Sequence, residues 1–260
     1  MLIDLHANPG DLTPENFATV VADAGLSAVV ITRTNRADGL TDYAEALRGV
    51  GVDAYFGVEL ALDKGMVVYI PRTADAAFED TQWTQGSSRW TVEEVNERLA
   101  NEDGAIIAAH PYFRDDHPGL GDRVYRVKGL SAIVTRVGRG SQGWDTLAEQ
   151  AAQKRGLTQL GSSGGDSKFL GAAATVMDDE VTSQSALVDA LKSGPTMVLE
   201  MDDPSQPRDR RPPARSTPDD RRDRDSRGRG DGRGRRDDRG RGRNNDRRGG
   251  RERGRRNRRD

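Results

Sequence analysis

No cysteine occurs among the 260 residues. Disulfides and thiolate metal sites are therefore excluded, and the composition suits a reducing cytoplasm. No apolar run approaches the ~20 residues that a membrane helix needs. Met1 leads directly into a strand-like segment, with neither the basic region nor the apolar region of a signal peptide. A soluble, cytoplasmic protein with no membrane partner is expected. Lysine and aromatic residues are missing from the last fifth of the chain. From Gln206 onward there are 23 Arg against 11 Asp plus Glu, a net +12. The whole-chain net charge of −2 conceals this, because Met1 to Ser205 holds 17 basic and 31 acidic residues, a net −14. An acidic body and a basic tail share one polypeptide, and composition divides them into residues 1–203 and 204–260.

The body is long enough to bury a substantial core, and its apolar residues follow an alternating pattern. Leu2, Ile3 and Leu5 suit a short buried strand that Asn8-Pro9-Gly10 stops. Thr13-Pro14 opens a helix through Phe17, Val20, Val21 and Ala24, which Gly25 ends. Ala28 to Thr32 reads as a buried strand, and Leu40 to Val50 as a helix. Asp53 to Leu62 and Met66 to Ile70 read as two strands around an Asp63-Lys64-Gly65 turn. A capping box at Thr91 opens a helix to about Asn101, and Ala105 to His110 supplies the next strand. Further strands are expected at Leu130 to Thr135, Thr158 to Ser163, Ala172 to Met177 and Thr196 to Met201. Helices are expected at Trp144 to Lys154 and Ser183 to Lys192. Seven or so strands alternating with helices point to an α/β barrel-like sheet, with an open doubly wound sheet as the alternative.

Four potential metal ligands fall at strand ends, where α/β barrels keep their chemistry: His6, Glu59, His110 and Asp166. Imidazole and carboxylate from four strands could converge on one divalent cation such as Zn or Mn. Taken alone, His6 also reads as a hydrogen-bonded core histidine. Glu59 stands out because a glutamate inside an apolar run is costly unless it is paired or metal-bound.

These stretches resemble the PHP (polymerase and histidinol phosphatase) superfamily across roughly Met1 to Met201. Asp4-Leu5-His6-Ala7-Asn8 is similar to its D-L-H-x-H motif, and Ile31-Thr32-Arg33-Thr34-Asn35 to its I-T-D-H-N. Gly57-Val58-Glu59 is similar to G-x-E, and Ala109-His110-Pro111 to A-H-P. Asp166-Ser167-Lys168, followed by Leu170-Gly171 and Thr175, is similar to D-x-H with its trailing glycine and threonine. The resemblance implies a distorted seven-stranded β/α (TIM-like) barrel holding up to three metals for phosphoester hydrolysis.

The departures fall on ligand positions. Asn8, Arg33-Thr34, Val67 and Lys168 stand where the family has histidine or aspartate, which leaves at most one divalent metal, Zn or Mn, or none. Arg33 and Lys168 become the candidates for phosphate binding and for any residual catalysis. They would either pair internally with Glu59 and Asp166 or hold a phosphate-containing ligand. The expected functions are a weakly active or non-catalytic phosphate- and nucleic-acid-binding protein, or a single-metal phosphoesterase.

The tail cannot bury enough apolar surface to offset its conformational entropy and is expected to be disordered. Arg-Gly steps at Arg227, Arg229, Arg233, Arg239, Arg241, Arg248 and Arg253 resemble the RG-rich tails of RNA-binding proteins. Arg239, Arg241, Arg243, Arg247, Arg248, Arg251 and Arg253 are the candidate contacts to single-stranded nucleic acid. A solubilising tail, or one that folds back on the acidic body, is the alternative.

Overall fold

Aliphatic runs bounded by turn residues form the strands of the computed structural model, which describes residues 1–200 apart from 75–77, 79–82, 84–88, 114–118, 139–140, 179–180 and 195. The arginine-rich tail, with all its candidate nucleic-acid contacts, lies outside the described residues. β1 (Leu2–Ala7), β2 (Ala28–Ile31) and β3 (Asp53–Phe56) run parallel, with Ile3 opposite Ala28 and Val29 opposite Ala54. β9 (Ala173–Val176) and β10 (Met197–Glu200) extend this sheet antiparallel beyond β1, giving the order β10-β9-β1-β2-β3. A second sheet has the order β4 (Val58–Ala61), β5 (Met66–Pro71), β6 (Gly104–Ala109), β7 (Leu130–Arg136), β8 (Thr158–Gly161). In it β5 is antiparallel to both neighbours, while β6, β7 and β8 run parallel.

The described residues thus form ten strands in two mixed five-stranded sheets, where the sequence suggested seven or so in one barrel, and no ladder joins the two sheets into a closed barrel. Each seam has a local cause. Asp53 to Leu62, expected as one strand, breaks at Gly57, where the chain passes from one sheet to the other. A Cβ there would lie 3.0 Å from Val30 Cγ1 and 3.2 Å from the Tyr69 carbonyl oxygen, so any larger residue would push its neighbours back where glycine lets the chain pass. At the other seam the Thr175 hydroxyl accepts from Gly161 N–H (3.0 Å) and donates to Gly161 O (2.9 Å). A side chain takes the place of a ladder there.

Five α-helices are present among the described residues: α1 (Pro14–Asp23), α2 (Leu40–Gly49), α3 (Val92–Arg98), α4 (Gln142–Arg155) and α5 (Gln184–Ser193). Their ends follow the sequence signals. Thr13 Oγ1 accepts the Asn16 N–H, and Thr91 and Glu94 form a reciprocal capping box. α1 and α2 bury Phe17, Val21, Leu40 and Leu47 in a hydrophobic cluster with Val29 and Ile31. A second cluster joins Ile3, Leu5, Val30, Ile70, Ile107, Val134 and Leu160 to Leu187, Val188 and Leu191 of α5. Gln184 fixes α5 by accepting from Phe56 N–H and donating to Phe56 O and Pro71 O at 2.8–3.0 Å. Above this cluster, at the C-terminal ends of β1, β6 and β8, buried side chains turn polar: His6, His110, Ser162 and Ser163. No described helix is long and apolar enough to cross a membrane.

Candidate functional site

β1 leaves Asp4 and His6 fully buried. The Asp4 carboxylate accepts the His6 N–H (3.0 Å), Ser162 Oγ–H (2.8 Å) and Ser163 N–H (3.0 Å). Three donors satisfy a buried carboxyl group that no described cation contacts, which is how an interior accepts a polar group. The His6 ring is then fixed from the other side. Its Nε2–H donates to Glu59 Oε2 at 2.6 Å, and Thr34 Oγ–H donates to Glu59 Oε1 at 2.7 Å. Asn8 Nδ2–H extends the chain to Thr34 Oγ1 at 3.3 Å. Burial works against ionisation of Glu59, but the His6 hydrogen bond and charge, then Thr34 and His110, outweigh it and hold the carboxyl below its usual range.

His110 follows β6 directly and stacks on His6, with ring centroids 5.9 Å apart and planes at 15°. Its φ of +29° is a left-handed value in a residue that precedes proline, a strained conformation typical of functional sites. Phe113 meets the His110 ring edge-on and Trp144 backs Phe113 in turn.

The structure brings His6, Glu59 and His110 together. It engages Asp166 as the cap of a 3-10 turn, Ser167–Phe169, where its carboxylate accepts the Lys168 N–H at 3.0 Å. Among the described residues no three of His, Asp and Glu are arranged to hold a metal ion. The His6–Glu59 bond explains part of this. Two ligands at about 2.1 Å from a shared tetrahedral ion lie roughly 3.4 Å apart, whereas Nε2 and Oε2 are 2.6 Å apart. As the side chains stand, His6 Nε2 and Glu59 Oε2 are hydrogen-bonded to each other and not spaced as two ligands of one ion.

The internal pairing considered for Arg33 and Lys168 is not the one that holds Glu59. Residues 33–35 run beside β4, with Thr34 bridged to Glu59. Alternation along an extended segment gives Thr34, rather than Arg33, the side-chain contact. Arg33 Nη1 instead donates to Asp38 O at 3.3 Å, and the Lys168 side chain is exposed. Val67 is buried in the hydrophobic cluster that includes Leu60 and Tyr69.

Sequence reasoning missed the turn Ser162-Ser163-Gly164-Gly165. Ser163 Oγ–H and Gly165 N–H both donate to His6 O, at 3.1 and 2.9 Å. The strand expected to run through Ser163 stops at Gly161, and two serines and two glycines before Asp166 are the signal of the turn that follows.

A titratable group flanks the site. Asp145, in the first turn of α4, lines with His110, Phe113, Thr135 and Trp144 a cavity of about 10 Å³, room for one water. Burial pushes its carboxyl up to about 6, against the pull of Arg136 at 3.7 Å and helped by Glu200 and Glu149. A carboxyl raised above its unfolded value of about 3.9 binds protons more tightly when folded, so stability falls as pH rises from about 4 to about 6. Asp145→Asn is expected to raise Tm by roughly 3 °C near pH 8, about 1 kcal/mol after screening, and to change it little near pH 4. Melts at both pH values check this, and an equal gain at both would contradict it.

No family model matches the sequence, and no curated protein matches it. Solved structures do. A protein from Bifidobacterium adolescentis assigned as a metal-dependent phosphoesterase is 14% identical, with 63% of this chain and 88% of that chain covered and a TM-score of 0.47. An amidohydrolase from Chromobacterium violaceum, with bound sulfate and no metal, is 15% identical, with 76% of this chain and 97% of that chain covered and a TM-score of 0.51. This chain shares the fold of that amidohydrolase.

Proposed function

We propose that the chain is a PHP-type α/β domain with a dismantled metal centre, which binds phosphate-containing ligands and nucleic acid instead of running a multi-metal hydrolysis. The observation that carries this reading is the 2.6 Å hydrogen bond between His6 Nε2 and Glu59 Oε2. It consumes two of the retained ligands in one internal contact. The amidohydrolase of like fold holds sulfate in a structure without metal, which supports oxyanion binding that does not depend on an ion. Lys168 and Arg33 are the cations that would meet such an anion, and the tail, residues 204–260, would supply electrostatic affinity for nucleic acid.

One observation favours the alternative, a phosphoesterase with a single-metal centre. His6 Nδ1 is buried with no hydrogen-bond partner, and a carboxylate on the far ring nitrogen is how metal-binding histidines are oriented. Elemental analysis of purified protein, with phosphoester hydrolysis measured with and without added Zn or Mn, separates the two. The proposal expects substoichiometric metal and no metal-stimulated turnover. One tightly held ion per chain that is lost in His6→Ala, together with hydrolysis, would establish the alternative.

A further inference from the structure

We propose that residues 162–165 are a built-in cover over the His6–Glu59 pair, with Asp4 as the positioning residue that latches it. This rests on the metal-free reading above and adds what keeps the site shut. Four hydrogen bonds tie the turn to β1. Ser162 Oγ–H and Ser163 N–H donate to the two Asp4 oxygens, and Ser163 Oγ–H and Gly165 N–H donate to His6 O. The same Asp4 carboxylate accepts the His6 N–H, so one buried group sets both the strand end and what lies over it.

The latch delivers backbone onto the imidazoles. Gly164 and Gly165 have φ of +72° and +77°, conformations that side chains resist. A Cβ on Gly165 would lie 2.6 Å from His6 Nε2 and 3.1 Å from Glu59 Oε2, and one on Gly164 would lie 3.2 Å from His110 Cδ2. Only glycine backbone packs this closely. One further bond, Ser162 N–H to Arg136 O at 3.0 Å, ties the start of the turn to β7, so residues 163–165 open by breaking their bonds to β1 while Ser162 and both sheets stay in place. Opening is the step that exposes the pair to a ligand.

Histidine acylation by diethyl pyrocarbonate, followed at His6 by peptide mass spectrometry, reads the cover directly. His6 in the native protein is expected to react far more slowly than in urea-unfolded chain. Ser162→Ala and Ser163→Ala should each raise that rate roughly tenfold, the value of one lost hydrogen bond. Ser162→Thr, which keeps the hydroxyl, should restore protection. Gly165→Ala keeps both Asp4 contacts but puts a Cβ 2.6 Å from His6 Nε2, which forces the end of the turn off the ring, so it should also raise the rate. Melts confirm that each variant is folded at the assay temperature, and a variant that is not is replaced by the others.

Native His6 reacting as fast as unfolded chain, or equal protection in every folded variant, would overturn the cover. The metal content of the same preparation keeps the two ideas apart. Protection that disappears on chelation would mark an ion as the shield and sink the metal-free reading, whereas protection that survives chelation belongs to the turn.

Discussion

Asp4→Ala is expected to lower the melting temperature by roughly 10 °C, a loss of about 4 kcal/mol for a domain of this size. Asp4 is fully buried, and its carboxylate satisfies the His6 N–H, the Ser162 hydroxyl and the Ser163 N–H. Alanine removes the acceptor and leaves three donors in an apolar setting, each costing on the order of 1 to 3 kcal/mol. Ser162 alone should matter less, because truncating it leaves one acceptor valence open and no donor stranded except Gly164 N–H, which bonds to Ser162 Oγ. A double-mutant cycle between Asp4→Ala and Ser162→Ala should show coupling of about 1 kcal/mol, as expected for groups in one network. A melting temperature for Asp4→Ala within about 2 °C of the parent protein would mean that water replaces the carboxylate and that the network does not hold β1 to the turn.

The contrast between Asp4 and Glu59 shows what was legible in the sequence. Helix starts at Thr13 and Thr91 and strands such as Ala28–Ile31 follow from local rules, because capping and apolar runs act over a few residues. The break at Gly57 did not show. An apolar run reads the same whether it stays in one sheet or crosses to another, and the deciding contacts, Val30 and Tyr69, are distant in the chain. Glu59 announced itself as a carboxylate among apolar neighbours, yet its partners His6 and Thr34 are 53 and 25 residues away. Asp4 stood out only as the first residue of the segment similar to D-L-H-x-H. Its role as an acceptor for residues 158 and 159 positions further on is set by β8 returning beside β1, which no local pattern encodes. Likewise, the sequence placed Arg33 and Lys168 near the carboxylates by motif position alone, and alternation along residues 33–35 then gave the contact to Thr34.

Removing residues 208–260 is expected to abolish most affinity for single-stranded nucleic acid, the largest change in binding foreseen for this chain. The body carries a net −14 and would repel a polyanion, whereas the segment from Gln206 carries +12. If the seven arginines from Arg239 to Arg253 named above each neutralise one phosphate, log affinity falls with log salt at a slope of about −5, so raising salt from about 50 to 200 mM costs roughly a thousandfold. No Phe, Tyr or Trp lies in the segment, so base stacking is left to guanidinium planes and little sequence preference should appear. Asp residues interspersed among the arginines reduce the effective charge, and a slope shallower than −5 would measure that reduction. Binding of full-length and truncated protein to one oligonucleotide at the two salt concentrations decides the matter. Equal affinities would place the partner on the body, where Arg33 and Lys168 are the cations to test next. No binding by either form would leave the tail as a solubilising segment or as a docking arm for an acidic surface.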